Sequence, residues 1–345
     1  MRVLAIDVGA GTQDILLYDE GMPLEGSTKL ILPSQTVVVA GRIDRARDKS
    51  RDTFLEGPVM GGGSSTEAIE ENLRAGLRVY ATSSAAATVH DNLERVRARG
   101  VIIQEEAPRG AEAVRTGDLD LPSLKKALGL FDVEMPGSVA VAVQDHGFSP
   151  SKSNRLVRFE HMAKAIKEGG RLENFAFRQP PEAMTRMRAV KDYLDGQGVE
   201  SVLMDTGPAA IFGMPFDPRY KEPALAINFG NSHTIMAVVD GGRIRALAED
   251  HTFEMAPEKV EAYARGLARG TLTNQEVFDN GGHGAYVAGG PWEIKTISVT
   301  GPRRVGFLKS EAMPGAVAMA PGGDMMIAGC LGLVEAWKRK DSLCR

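Results

Sequence analysis

An acidic residue at the end of an apolar strand, followed at once by glycines, is the first feature of this sequence that could support chemistry. In LAIDVGAGTQDILLYDEG, Asp7 follows the apolar run, and Gly9, Gly11 and Thr12 form the turn after it. Successive backbone N–H groups in such a turn can hold phosphate oxygens, and Thr12 adds a hydroxyl donor. Asp7 would repel a phosphate unless a cation lies between them, and Mg²⁺ is commonly held by one or two carboxylates in this setting. The stretch therefore predicts phosphate at the turn and Mg²⁺ at Asp7.

Three other interpretations of this turn explain less of it. A dinucleotide-binding fingerprint needs a third glycine where Asp14 stands, and it needs a long helix after the turn. A Walker loop needs a lysine, and this stretch has none. A plain hairpin turn accounts for the glycines but leaves Asp7 without a role.

A second stretch, LAINFGNSHTIMAVVDGG, starts at Leu225 and repeats the pattern. It predicts another strand–turn–strand unit, with Asn228, Gly230, Asn231 and Ser232 at its turn. Two such hairpins, opposed across a cleft, could hold a triphosphate from both sides, which makes ATP and Mg²⁺ the expected cofactors. The turn glycines would then lie near one triphosphate, since a Cβ would keep the backbone away from the phosphate oxygens.

Histidines and an aspartate at other segment ends are further candidates. Asp145 and His146 follow an apolar strand, and Asp145 could orient His146 as a general base or help to hold a metal. The alternative is that Asp145 only caps the start of a loop. Gly282 and His283 lie in the glycine-dense stretch DNGGHGAYVAGG, where the backbone could approach a substrate closely. A surface loop is the alternative there.

Composition and charge exclude several classes of protein. The chain has 345 residues, enough for two domains, and its net charge of −4 gives no basic surplus for nucleic acid. No apolar run approaches the roughly 20 residues of a membrane span. The chain enters a strand at once, without a visible signal peptide, and its two cysteines, Cys330 and Cys344, fit neither a zinc site nor an iron–sulfur cluster. We therefore expect a cytoplasmic protein without a cluster.

Strand, turn and helix signals alternate along the chain, which predicts α/β architecture. A proline-rich break, GMPFDPRYKEP, separates two regions at residues 213–223. We expect an N-terminal domain over residues 1–215, which carries the first hairpin and an inserted α/β region. A C-terminal domain over residues 216–345 would carry the second hairpin.

Four motifs resemble those of the actin-like ATPase superfamily, which includes sugar kinases, chaperone ATPases, actin and reductive activators. AIDVGAGTQDILLYD looks like its first phosphate motif, and AINFGNSHTIMAVV looks like its second. ISVTGPRRVGFL resembles its adenosine motif, and GGDMMIAGCLGLVEA resembles its closing helix. The resemblance implies a two-domain ribonuclease-H-like fold with a nucleotide cleft between the domains. The cofactor-binding residues are then predicted to be Gly9, Gly11, Thr12, Gln13, Asn228, Gly230, Asn231, Ser232, Gly301 and Gly323.

The resemblance also suggests catalytic roles and shows two departures. In the superfamily an acid near the first crossover often helps to activate water or an acceptor hydroxyl, which makes Asp205 a catalytic candidate beside Asp7, Asp145 and His146. The second phosphate motif usually carries an acid where this chain has Asn228, and the adenosine motif has Pro302 where a second glycine is usual. The whole chain also resembles a family labelled pyruvate formate-lyase activating enzyme. Radical enzymes of that name use three closely spaced cysteines, which this chain lacks.

The sequence thus predicts a protein whose two domains close on Mg-ATP. It would be a kinase that phosphorylates a small molecule, or an ATPase that drives the activation of a partner enzyme. The alternative is a non-catalytic nucleotide-binding sensor or auxiliary protein of the same fold, for which Asn228 is the best support. A second copy of the chain is a further candidate partner.

Overall fold

The computed structural model describes residues 1–309 and 313–343, so Cys344 lies outside the described residues. Within them, strands form three sheets. In chain order the strands are β1 (Arg2–Val8), β2 (Thr12–Asp19), β3 (Thr28–Pro33), β4 (Thr53–Glu56), β5 (Val79–Ala81), β6 (Ile102–Ile103), β7 (Glu112–Arg115), β8 (Ser138–Val143), β9 (Ala176–Phe177), β10 (Glu200–Met204), β11 (Ala224–Phe229), β12 (His233–Val239), β13 (Ile244–His251), β14 (Gly284–Val287), β15 (Thr296–Thr300) and β16 (Val317–Ala318).

Helices connect the strands and cover the sheets. None of them, within the part of the chain that the structure describes, is long and apolar enough to cross a membrane. In chain order the α-helices are α1 (Gln35–Asp48), α2 (Ser64–Arg74), α3 (Ser83–Ala86), α4 (Leu93–Ala98), α5 (Leu121–Gly129), α6 (Asn154–Lys167), α7 (Thr185–Gly196), α8 (Thr206–Gly213), α9 (Pro257–Arg269), α10 (Asn274–Asp279), α11 (Arg304–Leu308) and α12 (Ala328–Lys338).

Five strands of each large sheet have the same order, β3-β2-β1-β8-β10 in the first and β13-β12-β11-β15-β16 in the second, and each sheet adds one antiparallel edge strand, β9 or β14. The whole first sheet runs β3-β2-β1-β8-β10-β9, and the whole second sheet runs β14-β13-β12-β11-β15-β16. In each, an antiparallel meander of three strands is followed by two parallel strands beside the first strand of the meander. Each sheet is thus a ribonuclease-H-like module. The repetition confirms the predicted α/β fold, the two-module fold of actin-like ATPases.

One layer of helices lies between the two large sheets. A single apolar cluster joins Val3 of β1, Ala237 of β12, Phe159 of α6 and Leu331 of α12. The outer face of the first sheet is covered by α5 and α7, and the outer face of the second sheet is covered by α9 and α10. Because both faces of each sheet are buried, the central strands are nearly continuous apolar runs. The strand ends are therefore where polar groups can gather.

Helices α8 and α12 cross at two glycines. A Cβ on Gly332 would overlap the carbonyl oxygen of Ala209, and one on Gly213 would overlap the carbonyl oxygen of Ala328. Helix α12 also packs against β1 and β8 of the first sheet, although the predicted boundary at residues 215 and 216 assigns it to the C-terminal domain. The boundary itself stays a prediction.

A third unit lies between β3 and α5. Its four strands, in the order β6-β5-β4-β7, are all parallel and share a core with α1, α2 and α4. Helix α1 buries Val39, Ile43 and Ala46, a spacing of four and three residues that forms one apolar helix face. The unit thus has a core of its own beside the first sheet.

The helix crossing predicts the effect of one methyl group. Alanine normally suits a helix interior better than glycine, but in Gly332→Ala the new Cβ meets backbone of α8, which cannot rotate away. We expect a loss of about 1–3 kcal/mol in the free energy of unfolding, measured by urea denaturation.

Gly129→Ala is the matched control, because no heavy atom lies within 4 Å of a Cβ built on this glycine of α5. We expect its stability to be unchanged or slightly raised. Equal stabilities of the two variants would contradict the close crossing.

Candidate functional site

The two predicted hairpin turns have the same backbone geometry. In the first, the N–H of Gly9 donates to the carbonyl of Thr12 at 2.8 Å. In the second, the N–H of Gly230 donates to the carbonyl of His233 at 3.0 Å. Each bond joins a glycine to the residue three positions later, where the returning strand begins. The similarity that is visible in the sequence is therefore also a similarity of structure.

The turns face each other across the junction of the two modules. A Cβ on Gly11 would lie 2.9 Å from the side-chain nitrogen of Asn231, so the first turn nearly touches the second. Between them lies a cavity of about 760 Å³, counted out to its mouth. The predicted cofactor residues that line it are Gly9, Thr12, Asn228, Gly230, Asn231, Ser232 and Gly301.

Three residues predicted to bind cofactor do not line this cavity, and one of them, Gly11, lies in the first turn against Asn231. Thr12 and Asp14 line the cavity, so Gln13 between them points to the opposite face of β2. There its side-chain nitrogen donates to the carbonyl of Pro33 at 2.9 Å. Gly323 does not line the cavity either, because the closing segment approaches it through the residues that follow, from Met325 to Gly329. The structure thus places the side chain of Gln13 away from the cavity, and the role of Gly323 stays a prediction.

Asp7 has the electrostatics expected of a cation ligand. Its Oδ1 is shielded from solvent and has no hydrogen-bond partner among the described residues. Burial raises the pKa of Asp7 well above its usual value, and the charges of Asp14 and Asp205 raise it further. A Cβ on Gly329 would overlap the carboxylate, so Asp7 lies against the first turn of α12. An enclosed carboxylate oxygen without a partner, among other acids, fits a divalent cation such as Mg²⁺.

Asp14 is a second buried acid, and it lies beside Asp7 in the first hairpin. It pairs with Asp7 across the β1–β2 hairpin, and its own Oδ1 has no partner among the residues described. Burial raises the pKa of Asp14 to about 7, a hydrogen bond with Thr12 opposes the shift, and the charge of Asp324 adds to it. The first hairpin therefore holds two carboxyl groups that resist ionisation without a nearby cation.

Asp205 is not a free catalytic carboxylate. Its Oδ2 accepts from one terminal nitrogen of Arg158 at 2.6 Å, and its Oδ1 accepts from the other at 3.0 Å. Oδ1 also accepts from the N–H of Gly207 at 3.1 Å and so caps the start of α8. With both oxygens held, Asp205 positions its neighbours. The prediction that it activates water or an acceptor is not supported by these contacts.

Arg158 joins Asp205 to a second acid that sequence reasoning missed. Its Nε donates to Glu249 at 2.6 Å, and a terminal nitrogen donates to the other oxygen of Glu249 at 2.8 Å. Glu249 also accepts from the side chain of Gln144, and both of these residues line the cavity between the hairpins. The sequence contained a signal for this pair, an arginine on an apolar helix face. Arg158 lies on the same face of α6 as the buried Met162, and in the structure it is only 2% exposed. A single arginine on an apolar helix face needs a buried acid.

Asp145 caps a loop, as the alternative interpretation held. Its Oδ1 accepts from the N–H of Gly147 at 2.7 Å, and its Oδ2 accepts from the N–H of Met187 at 2.8 Å. Both oxygens are thus engaged with backbone amides. The prediction that Asp145 orients His146 is wrong, since no hydrogen bond joins the two among the described residues.

His146 instead belongs to a cluster of four histidines. Its ring centroid lies 5.4 Å from that of His233 and 5.2 Å from that of His283. His251 lies beside them, 5.0 Å from His233 and 4.9 Å from His283. Burial is the main cause that lowers the pKa of His233 to about 4 and that of His283 to about 3, so both rings are neutral near pH 7.

The predicted substrate residues have no open surface. His283 is 1% exposed, so it cannot face an acceptor directly. A Cβ on Gly282 would lie 2.7 Å from Val277 and 2.8 Å from the carboxylate of Asp250, which makes this glycine a packing position. The glycines of this loop therefore let it pack closely, and the substrate roles of Gly282 and His283 are wrong in this structure.

A family model covers most of the chain. The model described as "Putative pyruvate format-lyase activating enzyme (DUF1786)" matches residues 60–305. The chain belongs to this family. The match includes the second hairpin, Arg158 and the histidine cluster, whereas Asp7 and the first hairpin lie before its first residue. No sequence match to a curated protein was found.

Solved structures of low sequence identity are also similar to this chain. The ethanolamine utilization protein EutJ from Carboxydothermus hydrogenoformans is 13% identical, with 96% of this chain and 89% of that chain covered and a TM-score of 0.36. A Ppx/GppA family member from Aquifex aeolicus is 11% identical, with 91% and 72% covered and a TM-score of 0.30. The fold assignment given above rests on the two strand orders and not on these similarities.

The raised pKa of Asp14 predicts a pH-dependent stability. The folded protein holds this proton up to about pH 7, whereas an unfolded chain releases it near pH 4, so the folded state binds more protons in between. Stability must therefore fall as the pH rises through that window, by up to about 4 kcal/mol. In Asp14→Asn we expect the part of this stability loss that Asp14 causes to disappear. The free energy of unfolding, measured by urea denaturation at pH 4.5 and pH 8 in the presence of a chelator, tests this.

The exposed Asp48→Asn serves as the matched control and should keep the pH dependence of the original protein. If Asp14→Asn loses as much stability as the original protein between the two pH values, Asp14 does not carry a raised pKa.

Proposed function

We propose that this protein binds Mg-ATP in the cavity between its two hairpins and acts as an ATPase or phosphotransferase. The observation that carries the proposal is the pair of matching turns, opposed across one cavity, with an enclosed and unpartnered oxygen of Asp7 beside them. The matching turns of both modules line the same space. The unpartnered oxygen of Asp7 is a ligand that a bound cation could use.

Each part of the cavity then has a chemical role. Asp7 would hold Mg²⁺ through its waters, and the ion would neutralise phosphate charge when it is bound. The N–H groups of residues 10–12 and 231–232 would bind phosphate oxygens, since those of Gly9 and Gly230 close the turns themselves. A Cβ on Gly301 would overlap the carbonyl oxygen of Phe229, so this glycine lets the turn after β15 pack closely against the end of β11 at the cavity wall. Catalysis in such a site depends on positioning and charge, with little covalent chemistry from the protein.

A second cavity supports the view that a small molecule or a partner's side chain is the acceptor. It has about 1070 Å³, counted out to its mouth, and shares Gly9, Gln144 and His233 with the first cavity. Its other wall comes from the inserted unit, including residues 61–63. A group bound there would lie next to the terminal phosphate. Gln144, which reaches both cavities, has an amide that could orient an attacking water or hydroxyl.

Two observations favour the non-catalytic alternative. The second hairpin carries the neutral Asn228, and both oxygens of Asp205 are paired with Arg158. A protein of this kind would bind nucleotide and change conformation but hydrolyse ATP slowly. The measurement that separates the two functions is phosphate release with Mg-ATP, because a sensor shows binding without turnover.

Asp7→Asn tests the proposal. A ligand at one hundred times its dissociation constant adds about 2.7 kcal/mol to the stability of the folded state. We expect Asp7→Asn to remain folded and to lose the Mg²⁺-dependent part of the ATP-induced rise in melting temperature. If the variant keeps the full rise, Asp7 does not bind the cation.

Gly11→Val tests the opposed turns separately. The new side chain would meet Asn231 and push the turns apart, so we expect weaker ATP binding by titration calorimetry. Gly230→Val should act on the same step, and the double variant should lose less than the sum of the two, since one open turn already disrupts the site. Gly137→Val is the control, because no heavy atom lies within 4 Å of a Cβ there. Additive losses would contradict a shared site.

A further inference from the structure

Four of the chain's six histidines gather at one point, and they come from separate elements. His146 follows β8 of the first module. His233 starts β12, and it pairs in the sheet with His251 at the end of β13. His283 precedes β14, held by its N–H to the carbonyl of Glu249 at 2.9 Å. His233, His251 and His283 meet within the second module, and His146 joins them because the two modules are packed together.

The rings lack the hydrogen bonds that buried imidazoles normally have. Neither ring nitrogen of His233 or of His283 has a partner among the described residues, and all four nitrogens are shielded from solvent. A buried polar atom without a partner costs roughly 1–3 kcal/mol. The nearby side chains and backbone satisfy none of these four atoms, and a bound metal ion would take one nitrogen of each ring.

We propose that His146, His233 and His283 bind a divalent first-row transition metal ion. One ring nitrogen of each lies within 4.8 Å of the others. Zn²⁺ bound to nitrogen at 2.0–2.1 Å in a tetrahedral site places its ligands about 3.4 Å apart, so small side-chain rotations would close the site. Neutral imidazoles are ligands of Zn²⁺, Co²⁺, Ni²⁺ and Cu²⁺, whereas Mg²⁺ prefers oxygen.

The charges next to the cluster favour a cation. Arg158 carries one positive charge, and its partners Asp205 and Glu249 carry two negative charges, which leaves this buried network one negative charge in excess. The carboxylate of Glu249 acts directly on His233 and His283. Arg158 opposes the cation, but it is held away by four hydrogen bonds to the two acids.

Three histidines leave one coordination position of a tetrahedral ion for water or a substrate. His146 and His233 both line the second cavity, so the free position would face the space in which we place the acceptor. His233 also lines the nucleotide cavity. The metal site is distinct from the Mg²⁺ site at Asp7, and it stands on its own observations whether or not ATP binds.

Cobalt binding tests the site. The full chain, treated with a chelator and then supplied with Co²⁺ in excess Mg²⁺, should bind one Co²⁺ and show the visible absorption of a tetrahedral ion. Zn²⁺ should displace it. His233→Ala and His283→Ala should each lose at least tenfold in Co²⁺ affinity, and His146→Ala should do the same. His283→Gln, which keeps a polar side chain, should fold and still lose binding.

The chain provides matched controls in its two remaining histidines, His90 and His161. Alanine at either should leave Co²⁺ binding unchanged. His251→Ala should retain the ion, and loss of binding in that variant alone would overturn the three-histidine assignment. Absence of Co²⁺ binding in the original protein, or equal binding in all variants, would overturn the proposal. The ATP-induced melting shift, measured on the same samples, reports the nucleotide site separately, so either proposal can fail without the other.

Discussion

The structure depends on one buried guanidinium. Arg158 is 2% exposed and binds two carboxylates, Asp205 at the start of α8 and Glu249 on β13. One acid belongs to the first module and the other to the second, so Arg158 has both of its carboxylate partners only when the modules are packed together. Removing one partner of a buried ion pair commonly costs 3–5 kcal/mol. The same guanidinium donates to the carbonyl of Asp145 at 2.8 Å and thereby places the residue before His146.

This constraint connects the two candidate sites. Glu249 accepts from Gln144, which lines both cavities, and its own strand continues to His251 at the edge of the histidine cluster. A change in the distance between the hairpins would therefore act on the Arg158 network, and through it on the histidines. The proposed nucleotide and metal sites therefore share this network, and thermodynamic linkage would make any coupling between them reciprocal.

Local spacing allowed the sequence to predict the hairpin turns but not the contacts between modules. Asp7 and the turn glycines follow each other directly, so their pattern encodes a turn that the structure shows. Arg158 and Glu249 are distant in sequence, and neither has a neighbouring motif that identifies its partner. Gln13 was assigned to the cofactor site because the turn motif was extended into β2, where successive side chains point to opposite faces of the sheet. Helix α1 was not predicted from the sequence, because its β-branched residues have a weak helix propensity. In the structure, packing of its apolar face outweighs that propensity.

The two hairpins repeat each other in backbone but not in charge. In the first, Asp7 lies opposite Asp14 in the strand pairing, whereas in the second the corresponding pair is Asn228 and Ile235. Of the two hairpins, only the first therefore offers carboxylates to a cation between them, while the second offers the neutral Asn228. A nucleotide that carries Mg²⁺ would bind in one orientation with respect to the modules. Asn228 stands where the superfamily motif usually has an acid. The second hairpin therefore repels phosphate charge less than the first.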